Sequence, residues 1–152
     1  MKKTQIKKQM LIVTGSGNSG KSTAIKLAHH AILQRAIASQ GITDARYLYL
    51  TQREVGVSIQ VAVSIGIATR GDSASHVLHG LNYFLAQKCA VIVCATRSRG
   101  ASLLAAENFA NANGFAITYM QKAKHPVVSQ QSPSNVQFSR KVSAWACHLL
   151  GI

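Results

Sequence analysis

The sequence predicts an α/β protein with three layers, in which helices cover both faces of a mainly parallel sheet. Short apolar runs typical of buried strands alternate with longer segments whose apolar residues recur at helical spacing. A glycine-rich stretch follows the first apolar run, and only two prolines interrupt a chain that is 47% hydrophobic. Because crossover helices pack on both faces of a parallel sheet, this alternation favours the three-layer class.

The length and composition favour one domain in a reducing compartment. A chain of 152 residues fits a single domain over residues 1–152, with a basic N-terminal segment at residues 1–9. The apolar run after that segment is too short for a signal peptide, and no stretch approaches the about 20 apolar residues of a membrane span. The three cysteines are odd in number and show no C-x-x-C spacing, which predicts buried thiols and a cytoplasmic protein.

The first half of the chain is expected to form a strand, a loop, a helix and further strands. Residues 11–14 are a short apolar run that predicts a buried strand, and apolar residues at helical spacing continue from residue 24 to about residue 39. Residues 45–50 predict a second strand. Residues 55–68 are rich in β-formers and long enough for either a hairpin or one long strand.

The second half predicts two further helix and strand pairs. A helix is expected from residue 73 or 75 to residue 87, and a buried strand at residues 90–95. A second helix is predicted at residues 101–113, ended by Asn113-Gly114, a pair suited to a left-handed cap. Residues 115–120 supply the last predicted strand.

A loop at residues 123–133 is expected before a C-terminal helix. Ser132 and Pro133 suit the cap and the first position of that helix. Further along, one apolar stripe at helical spacing is expected to pack on the sheet rather than bind a partner. The stripe consists of Phe138, Val142, Trp145 and Leu149.

Residues 15–22, GSGNSGKS, match G-x-x-x-x-G-K-[ST] at every fixed position. Glycines let successive backbone N–H groups turn toward a phosphate, and the helix that follows presents its positive N-terminal end. Lys21 is expected to reach the β- and γ-phosphates and Ser22 to bind Mg²⁺ through its hydroxyl. The predicted nucleotide-binding residues are Gly15, Ser16, Gly17, Asn18, Ser19, Gly20, Lys21, Ser22 and Thr23.

The motif follows an apolar strand and opens an amphipathic helix, and residues 10–28 resemble the Walker A region of the P-loop NTPase superfamily. The resemblance implies a P-loop NTPase-like fold that binds ATP or another nucleoside triphosphate with Mg²⁺, in a small kinase-like or NTPase-like protein. The guanine-reading N-K-x-D motif of GTPases is missing, which favours ATP over GTP. The resemblance alone implies neither hydrolysis nor a particular acceptor.

Carboxylates are scarce, because the chain contains only Asp44, Glu54, Asp72 and Glu107. The superfamily usually places an Asp at the end of an apolar strand near the metal, but the strand at residues 90–95 is followed by Thr96-Arg97-Ser98-Arg99. Asp72, which follows the strand ending near residue 68, is therefore the preferred metal-side acid. Its alternative role is a helix N-cap.

Glu54 is the second candidate acid. In P-loop kinases an acid after the second strand often orients or deprotonates the phosphoryl acceptor, and Glu54 resembles it in placement. The alternative is an ion pair with Arg53. Asp44 precedes its strand and Glu107 lies within a helical segment, so both are expected to be structural.

Seven cations each follow a predicted strand, where ligands of parallel sheets bind. They are Lys21, Arg53, Arg70, Arg97, Arg99, Lys122 and Lys124. Arg97 and Arg99 are the preferred candidates for stabilising charge in phosphoryl transfer. Solubilising charge without a common site is the alternative.

The composition leaves three functions open. Seventeen Lys and Arg against four Asp and Glu give a formal charge of +13, which attracts polyanions. A phosphoryl-transfer enzyme or NTPase ranks first, with a small phosphate-bearing acceptor or a partner that supplies it. A nucleotide-dependent switch that binds an acidic macromolecule ranks second, and an NTP-binding protein associated with nucleic acid ranks third. The oligomeric state is open.

Overall fold

The computed structural model describes residues 7–17, 19–40, 45–51, 54–60 and 64–152. Asn18, Asp44 and Arg53, which the sequence singles out, lie outside these ranges. The elements are β1 (Gln9–Thr14), α1 (Lys21–Gln40), β2 (Ala45–Thr51), β3 (Glu54–Gln60), β4 (Ser64–Ile67), α2 (Ala74–Ala86), β5 (Val91–Thr96), α3 (Ala101–Asn113), β6 (Ala116–Gln121) and α4 (Gln131–Leu150).

The described strands form one sheet in the order β2-β3-β4-β5-β1-β6. β4, β5, β1 and β6 run parallel, whereas β3 is antiparallel to both of its neighbours. The mainly parallel sheet is therefore confirmed. Of the two structures left open for residues 55–68, the hairpin is the correct one, since β3 and β4 pair antiparallel.

Helices cover both faces of the sheet. Successive side chains of a strand point to opposite faces, and β1 contributes to a core on each side. Leu11 and Val13 pack in the core beneath α1 and α4, while Met10 and Ile12 pack in the core beneath α2 and α3. The three-layer arrangement predicted from the sequence is thus confirmed.

The start of α4 differs from the prediction. A single 3₁₀ turn at Val128–Gln130 leads directly into the helix, so the backbone is already helical before Ser132. Ser132 is therefore not the cap, and the loop before the helix is shorter than residues 123–133. Pro133 is tolerated because the first-turn N–H groups of a helix have no intrahelical acceptor.

The apolar stripe of α4 packs inward as expected. Val142 is buried, and Phe138, Trp145 and Leu149 pack against the same core as α1. The left-handed end of α3 is also confirmed, since Gly114 adopts φ 75° and ψ 28°.

The three cysteines form no disulfide bond and are buried, as predicted. Burial raises the pKa of Cys94 to about 12, so this thiol stays protonated at neutral pH. Across the part of the chain that is described, no helix is both long enough and apolar enough to cross a membrane.

Candidate functional site

The glycine-rich loop connects the end of β1 to the start of α1. Gly20 has φ 92°, a backbone conformation that L side chains rarely adopt, and a Cβ there would collide with Asn135 of α4. At Gly15 a Cβ would lie 2.5 Å from the carbonyl oxygen of Lys122. Glycine is thus required at both positions, by backbone conformation at one and close packing at the other.

Lys21 is the first residue of α1 and is only 6% exposed. Its Nζ donates hydrogen bonds to the carbonyl oxygens of Gly15 at 2.9 Å and Ser16 at 3.0 Å. Burial lowers the pKa of Lys21, the positive charge of Arg97 lowers it further, and the negative charge of Asp72 partly offsets both. The ammonium group is therefore held by the loop, in the position where the loop can present it to an anion.

Ser22 and Asp72 both lie near the exit of β4. The Ser22 Oγ donates to the carbonyl oxygen of Thr69 at 3.2 Å. The N-cap of α2 is Ser73, whose Oγ accepts from the His76 backbone N–H at 3.3 Å. Since Ser73 caps the helix, the alternative role considered for Asp72 is wrong, and its carboxylate is available to the site.

A polar cavity of about 400 Å³ lies between the loop and the exit of β4. Its position follows from the topology: β1 continues into α1 on one face, whereas the neighbouring β5 continues into α3 on the other, so the two loops diverge. The lining residues are Gly17, Gly20, Lys21, Ser22, Thr23, Thr69, Arg70, Gly71, Asp72, Lys124 and Gln131.

Arg97 connects the loop to Asp72. Its Nη2 lies 3.6 Å from Asp72 Oδ1, and a Cβ on Gly17 would lie 2.9 Å from its Nη1. The Arg97 backbone N–H donates to Ser102 Oγ at 3.0 Å, which anchors the residue after β5. Arg97 and Arg99 are both exposed, and neither belongs to the residues that line the cavity. The structure thus brings one of the two predicted arginines to the loop.

The remaining cations divide between the cavity and the interior. Arg70 and Lys124 line the cavity. Lys122 does not: its Nζ donates to Ser19 O at 3.0 Å, Ala123 O at 2.7 Å and Ser134 Oγ at 3.3 Å. An ammonium has three donors, so these bonds occupy all of them. The prediction that Lys122 adds a cation to the ligand-facing edge is corrected.

Lys122 instead supports the loop from behind. Burial lowers its pKa, and its three acceptors belong to the glycine-rich loop, the β6–α4 connection and the first turns of α4. The side chain therefore ties the glycine-rich loop, which is distant in sequence, to the segment between β6 and the first turns of α4.

Glu54 is the first residue of β3, and β4 and β5 lie between β3 and β1 in the sheet. Its side chain is outside the described part of the structure, so its catalytic role stays a prediction. Glu107 of α3 accepts a hydrogen bond from the Tyr119 hydroxyl at 2.5 Å, which agrees with a structural role.

Three residues of the site carry no sequence signal. Thr69 contributes a carbonyl oxygen, which any residue could supply. Gln131 lines the cavity and Asn135 packs on Gly20, but both belong to the start of α4, which the sequence pattern placed too late. Both amides would have been candidates for the site if the predicted helix had begun at Gln131.

The described residues contain no group of three or more His, Cys, Asp or Glu side chains that could bind a metal ion by themselves. Comparison with known proteins found no matching family model, no matching curated protein and no matching solved structure.

Proposed function

We propose that the protein binds a nucleoside triphosphate, preferentially ATP, with Mg²⁺ and transfers its terminal phosphoryl group as a small P-loop NTPase or kinase. One observation carries this proposal: Lys21, Ser22 and Asp72 line the same cavity as a loop that matches the phosphate-binding pattern. Its volume of about 400 Å³ is within the range typical of small-ligand sites.

The cavity has the charge and the donors that a polyphosphate requires. Backbone N–H groups at the start of α1 are free of intrahelical partners, and the helix dipole makes this end positive. Lys21, Arg70 and Lys124 add full positive charges around them. Phosphate oxygens would replace the loop carbonyls as acceptors for the Lys21 ammonium.

Ser22 and Asp72 suit Mg²⁺ because the metal prefers oxygen ligands and is commonly held by one or two carboxylates together with substrate phosphates. Bound there, the ion would neutralise phosphate charge. To bind Mg²⁺, the Asp72 carboxylate must leave its ion pair with Arg97. This costs little free energy, since an exposed ion pair at 3.6 Å contributes little stability.

Arg97 is the residue best situated to stabilise transferred charge. Phosphoryl transfer depends mainly on positioning and on cations around the phosphoryl oxygens. The guanidinium already lies against Gly17 of the loop. The acceptor is either water or a small phosphate-bearing molecule, and Glu54 remains the predicted group that orients it.

A nucleotide-dependent switch or assembly protein is the second candidate. It is favoured because Asp72 is the sole carboxylate among the described residues that line the cavity. With no second acid among these described lining residues to activate water, intrinsic hydrolysis would be slow and would require a partner. Cytoplasmic location stays a prediction under both proposals.

The test is incubation with γ-labelled ATP and Mg²⁺, followed by identification of the labelled product. The variants are Lys21→Ala and Asp72→Asn, with Lys7→Ala as a control because Lys7 is exposed and does not line the cavity. We expect wild type and Lys7→Ala to bind and process ATP alike, and Lys21→Ala to lose binding. Asp72→Asn should require more Mg²⁺ and turn over ATP more slowly, because the ion loses its carboxylate ligand.

The product separates the two candidates. Free phosphate or a labelled acceptor supports phosphoryl transfer, whereas tight binding of intact ATP supports the switch. Turnover that persists in Lys21→Ala would refute the mechanism, because the loop lysine would then have no part in it.

A further inference from the structure

The charge of this protein is distributed unequally between the two helical layers. α1 and α4, which cover one face of the sheet, carry five Lys and Arg residues and no Asp or Glu. α2 and α3, which cover the other face, carry no Lys or Arg and a single acid, Glu107. All Lys and Arg residues of these four helices therefore lie in one layer.

Four of these cations lie on the outer side of the layer. Lys26, Arg35, Arg140 and Lys141 are exposed, whereas Lys21 is turned into the glycine-rich loop. We refer to the four exposed residues and the surface between them as the basic layer. α1 and α4 pack against each other, so the two pairs lie in the same layer.

The basic layer is extended rather than concentrated at one point. Each of its helices has 20 residues, which corresponds to a length of about 30 Å. Lys26 and Arg35 are separated by roughly 14 Å along α1 at the standard helical rise. Nine residues also correspond to about two and a half turns, so Lys26 and Arg35 lie on different sides of α1. The four charges are therefore spread over the layer, which suits a polyanion better than a single small anion.

A membrane surface is a poorer fit to the basic layer. Helices that lie on membranes insert a continuous apolar face between lipids. In this protein the apolar stripes of both helices are used in the core, where Ile25, Ile32 and Val142 are buried. The large apolar side chains left exposed on described parts of the two helices are Leu27, Ile37 and Val136, too few for such a face.

We propose that the basic layer of α1 and α4 docks the phosphate backbone of a nucleic acid without reading its sequence. Charge complementarity carries the inference. The basic layer is extended and has no carboxylate on its two helices, and a nucleic acid is a polymer with regularly spaced negative charges. Phosphate contacts of this kind provide affinity and orientation but no sequence information.

The docked strand would lie on the elements that shape the glycine-rich loop. α1 begins in that loop, and α4 contacts it through Asn135 against Gly20 and through Ser134 on Lys122. The docking surface is nevertheless separate from the cavity, so it can be tested without relying on nucleotide binding.

The experiment measures binding of a fluorescein-labelled 20-base-pair DNA duplex by fluorescence anisotropy between 50 and 200 mM NaCl. The test variant is the pair Lys26→Gln and Lys141→Gln. The matched control is the pair Lys7→Gln and Lys88→Gln, which removes the same charge from two exposed lysines outside α1 and α4. Lys21→Ala separates this binding from the nucleotide site, and thermal melting verifies folding.

We expect the wild type to bind with an affinity that falls steeply with salt. Each lost phosphate contact reduces the slope of log K against log salt by about 0.9, so the test pair should reduce it by about 1.8. The control pair and Lys21→Ala should keep the wild-type slope. The pair Lys26→Arg and Lys141→Arg should restore binding, since the charges are retained.

Three results would overturn the proposal. The first is an equal loss in the test and control pairs, which would indicate net charge alone. The second is loss of duplex binding in Lys21→Ala with no effect of the test pair, which would assign the binding to the phosphate loop. The third is binding to phosphatidylserine vesicles that depends on Lys26 and Lys141 without binding to the duplex.

Discussion

Lys21 and Lys122 are both buried, and their ammonium groups have different surroundings. Lys21 donates to two carbonyls of the loop and lines the cavity, so an anion can replace its acceptors. Lys122 donates three hydrogen bonds to three segments and has no donor left. Burial lowers the pKa of both residues, so the lowered pKa does not distinguish a ligand-binding lysine from a structural one.

At the same scale, Arg97→Ala should impair phosphoryl transfer far more than Arg99→Ala. Arg97 lies against Gly17 of the loop, with its Nη2 3.6 Å from Asp72 Oδ1, and Arg99 is exposed in the same connection. If its guanidinium stabilises the transition state, turnover should fall by roughly 10³-fold. Steady-state rates with γ-labelled ATP provide the comparison. Equal losses in the two variants would refute the distinction.

His29 should make the stability of the protein depend on pH. It is only 6% exposed, and burial, followed by the nearby His30, lowers its pKa from 6.5 to about 4. As the pH falls, the unfolded chain therefore protonates His29 at a higher pH than the folded protein does. The contribution of neutral His29 to the stability of the fold is complete above pH 6.5 and is lost progressively as the pH falls toward about 4.

Urea unfolding at several pH values between 7 and 4 measures this dependence. The free energy of unfolding should decrease by up to about 1.4 kcal/mol per pH unit from this residue in that interval. His29→Gln should flatten the profile, while His30→Gln, at an exposed neighbouring position, should keep most of it. Identical profiles for wild type and His29→Gln would contradict the assignment.

At the scale of elements, two packing contacts position the site. The first turns of α4 rest on the glycine-rich loop through Asn135 and Gly20. On the opposite face, β4 carries the connection to Asp72, and its Gly66 lies directly against the ring of Phe84 in α2. The absence of a side chain at Gly66 lets α2 pack closely on the strand that leads into the cavity.

Gly66→Ala should therefore destabilise the fold. Its Cβ would collide with the Phe84 ring, and overpacking of this kind costs about 1–3 kcal/mol. The double variant Gly66→Ala with Phe84→Leu should lose less stability than the sum of the two single variants, because the smaller side chain makes room. Urea unfolding of the four proteins measures the coupling, and strict additivity would disprove the contact.

At the scale of the whole molecule, the order of the sheet determines which loops meet. β5 lies between β1 and β4, and the chain leaves β1 toward one face and β5 and β4 toward the other. This divergence opens the cavity between the glycine-rich loop and Asp72. The same arrangement assigns the basic helices α1 and α4, with their exposed cations, to one face.

Much of the fold could be predicted from local patterns. The α3 helix spans the predicted residues, and β1, β5 and β6 lie within two residues of the predicted strands. Helical periodicity, strand length and the Gly114 cap are properties of neighbouring residues, so the sequence displays them directly. The start of α4 was missed because a 3₁₀ turn continues smoothly into the helix without a conventional cap.

The sequence by itself determined the three-layer fold class, the glycine-rich loop with Lys21 and Ser22, and the short set of acids from which a metal ligand could come. Only the tertiary structure decided that Asp72 faces the loop, that Arg97 rather than Arg99 joins them, and that Lys122 is turned into the interior. The reason is physical. Periodicity and capping depend on residues within a few positions, whereas these side-chain partners come from segments that only the packing of the sheet and its helices brings together.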